Sequence, residues 1–187
     1  DAVISEVLQA MDEQDRKRLE AVLSYDEDSA GGLMNTDTIT VRADVSLDVV
    51  LRYLRRHGEV PAMTDSLIVV DRDDKCLGTI ALTDLLVHNP NEKVADIMNK
   101  EIEGIQATMS ARDVANLFEH RDLVSAPVVN EENRLLGRIT IDDVVDVIRE
   151  EAEHSLMSMA GLNEEDDMFA PVIKSTRRRS IWLGVNL

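Results

Sequence analysis

The chain has 187 residues, 44% of them apolar, and a formal net charge of −17 from 20 Lys+Arg against 37 Asp+Glu. That length and apolar content allow one compact domain or two small ones, and with aromatics at only 3% the core must be aliphatic. The negative balance excludes a duplex-binding footprint and the shortage of rings excludes a base-stacking platform, so no nucleic-acid partner is expected.

The first 24 residues set Val3, Val7, Leu8, Met11, Leu19, Val22 and Leu23 among charges. Their spacing is helical and breaks near residues 11–15, which predicts two short helices, the tail of a helical domain. No secretory leader pattern opens the chain. Residues 25–34 read as a turn-rich joint around Gly31 and Gly32. An internal repeat follows, one copy beginning at Met34-Asn35 and the other at Met98-Asn99. The first copy predicts a strand at 39–41 and a helix over 46–56. Strands at 66–70 and 77–82 about a turn at 71–75 follow, then a helix over 85–88 opened by Thr83-Asp84. The second copy predicts a strand at Ile105, a helix over 110–120, and strands around 126–129 and 135–141 about a turn at 130–133. Asp142-Asp143 then open a long helix. Val70 and Val129, Gly78 and Gly137, and Asp84 and Asp143 are each separated by 59 positions, against 64 for the starting methionines. The first copy therefore carries about five extra residues near 57–65. Two β-α-β-β-α units of about 60 residues are each too small for a good core, and are expected to pack as a pair in an α/β fold.

The single cysteine, Cys76, excludes an intramolecular disulfide and suits a reducing compartment; its place between a turn and an apolar run predicts a buried apolar role. His57, His88, His120 and His154 are scattered, without zinc-like spacing. In the long helix, 100° per residue puts Asp143, Asp146, Glu150, Glu153 and His154 on one face with Glu151 at its edge. Val144, Val145, Ile148, Ala152, Leu156 and Met159 fall roughly opposite, which predicts a core side and an acidic side. One reading of the acidic side is a solvated face whose first acids suit the helix dipole, partly neutralised by Arg149 and Arg138. The other is a cation-binding face, since two carboxylates 4 Å apart repel by about 1 kcal/mol in water and about 4 kcal/mol at an effective dielectric of 20, and hard divalent ions relieve this. Near the end, Arg177-Arg178-Arg179 and Trp182 precede an apolar run. That reads as a cytoplasmic loop meeting a membrane span cut short at residue 187, or as a basic, partly apolar tail. No Ser/His/Asp or Cys/His set and no phosphate-cradling Gly loop is present, so an enzyme is not expected.

The last strand-to-helix turns read Gly137-Arg138-Ile139-Thr140-Ile141-Asp142-Asp143 and Gly78-Thr79-Ile80-Ala81-Leu82-Thr83-Asp84. They resemble the Gly-x-hydrophobic-(Ser/Thr)-x-x-Asp signature of CBS (cystathionine-β-synthase) modules, with Ala81 replacing the hydroxyl residue in the first copy. The joint at 27–34 and the sequence from Ile139 to Ser155 resemble the cytoplasmic region of MgtE-family magnesium transporters. The resemblance implies this organisation: helices of an N-terminal domain at 1–33, CBS modules at 34–96 and 97–153, and a connecting helix over 154–187 leading to a first transmembrane span. It implies a homodimer at the cytoplasmic face of the membrane, attached to a pore, in which Mg²⁺ bridges acidic faces, compacts the dimer and closes the pore. Carried across position by position, the implied Mg²⁺ ligands are Asp122, Asp143, Asp146 and Glu151. Glu150 and Glu153 are neighbours that can take over, because His154, Ser110 and Arg112 stand where the family can place carboxylates. CBS pairs also bind adenosine nucleotides, ATP or AMP, for which Asp84, Thr140 and Asp143 are the implied contacts; the missing hydroxyl at Ala81 disfavours the first copy.

Overall fold

The computed structural model of the protein describes residues 24–101 and 104–159, and only the backbone of 151 and 154–159. The chain divides into two units, Asp1–Ile148 and Arg149–Leu187. The predicted helices in residues 1–23 and the basic, Trp-bearing tail lie outside the described residues.

The first unit holds both copies of the repeat. In order the elements are α1 (Ala30–Leu33), β1 (Thr40–Arg42), α2 (Leu47–His57), β2 (Ser66–Val70), β3 (Cys76–Ala81), α3 (Asp84–Val87), α4 (Val94–Ile97), β4 (Ile105–Gln106), α5 (Ala111–Arg121), β5 (Ser125–Val129), β6 (Leu135–Thr140) and α6 (Ile141–Met159). Each copy builds one three-stranded sheet, β1-β2-β3 and β4-β5-β6. The first pair in each sheet is parallel and the second antiparallel. This is the β-α-β-β-α unit expected twice. The central strands read Ser-Leu-Ile-Val-Val and Ser-Ala-Pro-Val-Val, with four consecutive buried residues each. Burial on both faces explains why these strands run apolar without alternation.

The tight turns after β2 and β5 are made the same way. Asp71 Oδ1 accepts from the Asp73 and Lys75 amides at 2.8 and 2.9 Å, and Asn130 Oδ1 from the Glu132 and Arg134 amides at 3.1 and 2.9 Å. Such side-chain turns are a standard use of Asp and Asn. The two turns then pair with each other: Cys76 N–H donates to Asn133 O and Leu135 N–H to Asp74 O, both at 2.9 Å. Behind them Ile68, Val70, Cys76 and Val129 form a small core joining the sheets. Cys76 is buried there as expected, and burial pushes its thiol pKa up.

The copies are interlaced at their beginnings. Helix α1 precedes the first copy but packs into the second, where Ala30 and Met34 join Val114, Phe118, Val128, Ile139 and Val144. Helix α4 likewise puts Val94 into the core of the first copy with Leu47, Leu67, Val69 and Ile80. Asn35 pairs with Arg138 and Asn99 with Thr79 through reciprocal backbone hydrogen bonds of 2.8 to 3.0 Å. These crossings explain the signature glycines. A Cβ at Gly137 would overlap the Asn35 carbonyl oxygen, and one at Gly78 the Asn99 carbonyl oxygen.

Three sequence expectations are corrected. Gly31-Gly32 lie in a one-turn helix, not a turn, capped by the Ser29 hydroxyl. The inner face of α6 is Val144 and Val147, whereas Val145 and Ile148 are 45% and 47% exposed. The helix starts directly from the end of β6, so the strand exit sets which side meets the sheet, and the apolar residues at 144, 145, 147 and 148 wrap too far around to choose. Arg138 does not neutralise the acidic face of that helix: it is only 6% exposed and turns inward.

Candidate functional site

The two signature aspartates sit at equivalent places and in different surroundings. Asp143 lies in the first turn of α6, three residues after Thr140. Its Oδ2 accepts from the Thr140 hydroxyl at 3.0 Å, the Thr140 amide at 3.4 Å and the Asn35 side-chain amide at 3.2 Å. The reach back to the Thr140 amide is half of a capping box, satisfying a helix-start N–H that has no partner within the helix. The Asn35 bond exists because the crossing strand carries that residue to β6. Thr140 itself is buried, so its hydroxyl is committed to this network.

Asp84 is the counterpart in the first copy. Ala81 stands where Thr140 stands in the second copy and offers no hydroxyl. Asn99 stands where Asn35 stands, but its Oδ1 accepts from the Glu101 amide at 2.9 Å. Among the described residues no hydrogen bond or ion pair reaches the half-buried Asp84 carboxylate. A partly buried carboxylate with open lone pairs is a ready acceptor for hydroxyl donors such as a ribose diol.

A further difference lies between the modules. Arg138 is two residues before Thr140 on the same face of β6, and its counterpart in β3 is Thr79. The guanidinium crosses to the first copy, where Nη2 donates to Ala62 O at 2.8 Å and Nη1 to Met63 O at 3.4 Å. Its Nε lies 3.8 Å from Asp37 Oδ1 and has no hydrogen bond. Burial pushes the Asp37 pKa up, and Arg138 opposes this only in part. The cavity left between the copies is lined by Ile39, Ser66, Thr79, Ser125, Pro127 and Arg138, and its volume of about 10 Å³ holds about one water.

The acidic candidates are dispersed. Asp122 is exposed and ends α5 in a left-handed conformation, φ 50°, ψ 43°. Asp143 and Asp146 are half-buried flanking residues of the inner face of α6. Glu150 and Glu153 are exposed in the second unit, and Glu151 has only its helical backbone described. Among the described residues no three His, Cys, Asp or Glu side chains converge as a metal-ligand set. At most two such side chains can meet at one point among the described residues, a pattern that suits Mg²⁺ only where water or a second protein surface completes its shell. Sequence reasoning missed Asn35 and used Arg138 wrongly. The available signals were the repeated Met-Asn pair and the Thr79-to-Arg138 break in an otherwise regular repeat.

The CBS domain family model matches residues 30–89 and 94–150. The chain belongs to the CBS domain family. Its two CBS modules are similar to those of magnesium transporters. The magnesium transporter MgtE of Thermus thermophilus is 34% identical over 86% of this chain, and that of Bacillus subtilis is 27% identical over 94%. The chain spans 36% and 39% of the length of those two relatives. Among solved structures, the cytosolic domain of the Mg²⁺ channel MgtE in complex with ATP has a TM-score of 0.70 at 37% identity. That likeness covers 75% of this chain and 56% of that one. The soluble part of a magnesium transporter has a TM-score of 0.73 at 27% identity, covering 78% and 57%. The expected likeness to the MgtE family and the tandem CBS fold are both borne out. Among the described residues no helix is long and apolar enough to cross a membrane.

Proposed function

We propose that this chain is the regulatory CBS pair on the cytoplasmic side of a magnesium transporter, a sensor rather than an enzyme, that responds to Mg²⁺ and to an adenosine nucleotide. The observation that carries the reading is the likeness to MgtE cytosolic regions over both modules. The attached pore, the location at the membrane's cytoplasmic face and the response to Mg²⁺ follow from that likeness.

The Mg²⁺ ligands in this reading are Asp122, Asp143 and Asp146 in the second module, with Glu150, Glu151 and Glu153 further along α6. Each supplies one or two oxygens, and water or a second copy supplies the rest. A homodimer would provide that second surface. Leu86 and Val87, 79% and 77% exposed on α3, and Val145, the repeat counterpart of Leu86, are apolar positions that such a contact would cover. Opposed carboxylates hold the copies apart when Mg²⁺ is scarce; neutralised, they allow the compact pair that closes the pore. The metal shifts this equilibrium only by its preference for the compact state.

The nucleotide is assigned to Asp84, contrary to the weight the missing hydroxyl at Ala81 first suggested, because Asp143 and Thr140 are already bonded to each other and to Asn35. A relative's cytosolic domain in complex with ATP supports nucleotide binding in this family. In the full-length transporter, Asp143→Asn with Asp146→Asn should raise the intracellular Mg²⁺ that half-inhibits uptake about tenfold, the effect of losing about 1.4 kcal/mol of binding preference. Uptake whose Mg²⁺ dependence is unmoved would contradict the ligand assignment. Calorimetry with ATP should lose its binding signal in Asp84→Asn and keep it in Thr140→Val; the reverse pattern would move the site to the second module.

A further inference from the structure

We infer that the cleft in front of Asp143 is latched shut by Arg138 and the first module's extra loop, so that the pair takes one nucleotide per chain and not two. This deepens the nucleotide reading given above and rests on it for the identity of the probe.

The repeat provides an internal control. Between the first helix and the central strand the first module has residues 58–65 and the second only 122–124. The five additional residues contain Ala62 and Met63, whose carbonyl oxygens are the two acceptors of the Arg138 guanidinium. Met63 holds a φ of 54°, a conformation unusual for a residue with a side chain, and Thr64 closes the loop by donating its hydroxyl to Pro61 O at 2.6 Å. The loop and the arginine are therefore one device: the insertion presents bare carbonyls, and the substitution of Arg138 for the Thr79-type residue supplies a planar fork that takes two of them.

Around Asp84 both halves of the device are missing. The loop is short, Thr79 is small, and Asn99 turns its oxygen to its own backbone. Around Asp143 the Asn35 amide occupies the carboxylate, and Arg138 spans the gap to the first module with Asp37 beside it. A ligand entering there must displace the guanidinium from two carbonyls and the amide from the carboxylate. It would leave a buried cation facing Asp37 alone. The unbonded Nε of Arg138 belongs to this arrangement: the side chain is positioned by the two loop carbonyls and not by full satisfaction of its donors.

Arg138→Thr installs the residue that the first module already accommodates at the same place. A chain lacking residues 59–63 removes the other half of the latch. Both are made in the 187-residue chain, with thermal unfolding to verify folding. Because Arg138 holds the loop by carbonyl oxygens and not by its amides, the readout is limited proteolysis: cleavage within residues 58–65 should speed up at least about tenfold in Arg138→Thr with no nucleotide present. AMP titrated calorimetrically should bind one equivalent in the wild-type chain. In Arg138→Thr combined with Asn35→Ala, or in the loop deletion with Asn35→Ala, it should bind two, the second lost on adding Asp143→Asn. Two equivalents in the wild-type chain, only one in both combined variants, or loop cleavage unchanged in Arg138→Thr, would overturn the latch. If neither the wild type nor any variant takes up AMP while loop cleavage rises as expected, the nucleotide reading fails and with it the stoichiometry, and only the tether between Arg138 and the loop stands.

Discussion

Gly137→Ala isolates the crossing that carries Asn35 to the second sheet. Among the described glycines only Gly58 and Gly78 have a positive φ, so alanine at 137 adds no backbone strain and the effect is one of space. Its methyl group would overlap the Asn35 carbonyl oxygen and press on the Met34 side chain. Relief requires the Asn35 segment to move outward, breaking its two 2.8 Å hydrogen bonds with Arg138. Two backbone hydrogen bonds contribute about 1–3 kcal/mol net. Met34, only 5% exposed, would lose part of a burial worth about 1.5–3 kcal/mol. Alanine's restriction of the unfolded chain offsets about 0.4–1 kcal/mol. The expected net loss is about 2–3 kcal/mol. In urea this is a midpoint about 1 M lower at unchanged slope, measured by circular dichroism at 222 nm. A midpoint within about 0.2 M of the wild-type value would show that the crossing has slack, and the account of the signature glycine would fail.

Phe118→Ala removes the largest fully buried side chain of the second module and should cost about 3–5 kcal/mol, read as a loss of cooperative unfolding or a steep fall in urea midpoint. Asp71 titrates below the ordinary carboxylate value because the Lys75 and Asp73 amides bond its ionised form. Its contribution is present above that ordinary value and lost as pH falls through the lowered one. Asp71→Asn should keep the turn, as Asn130 does in the second module, and the variant's stability should decline less than the wild type's between pH 4 and pH 2. Equal declines in acid titrations of the two proteins would contradict this. Asp37 has the opposite sign: its raised pKa gives stability that is present below the ordinary carboxylate value and fades as pH rises through the shifted one. Asp37→Asn should therefore flatten that decline in unfolding curves measured upward from pH 4, and an unchanged slope would count against it.

The parts of the fold that were legible are those decided locally. The run at 66–70 is bounded by turn residues, and the helix at 47–57 has Leu47, Val50, Leu51 and Leu54 on one side and Gly58 at its end. The turn at 71–75 is dictated by one Asp side chain. Helices α1 and α4 were not legible as helices. Four residues hold no period, and each is made helical by packing on the other copy, through Gly31 N–H to Ala107 O and Val94 N–H to Val45 O. The signature aspartates were found from the repeat, but their difference was not. It depends on Asn35, 108 positions from Asp143, and on an arginine that chooses carbonyls 75 and 76 positions away. The apolar side of α6, expected to include Val145 and Ile148, differs for a related reason: a helix emerging from a strand inherits its inward face from the strand, here Val144 and Val147.

The most direct test of Mg²⁺ sensing is small-angle scattering of the 187-residue chain across a Mg²⁺ titration at constant ionic strength, with K⁺ as the control and Asp143→Asn/Asp146→Asn as the comparison. The account predicts that Mg²⁺ alone contracts or pairs the wild-type chain and that the variant needs more of it. The same profile in Mg²⁺ and K⁺, or a variant indistinguishable from wild type, would contradict a sensor built on these carboxylates.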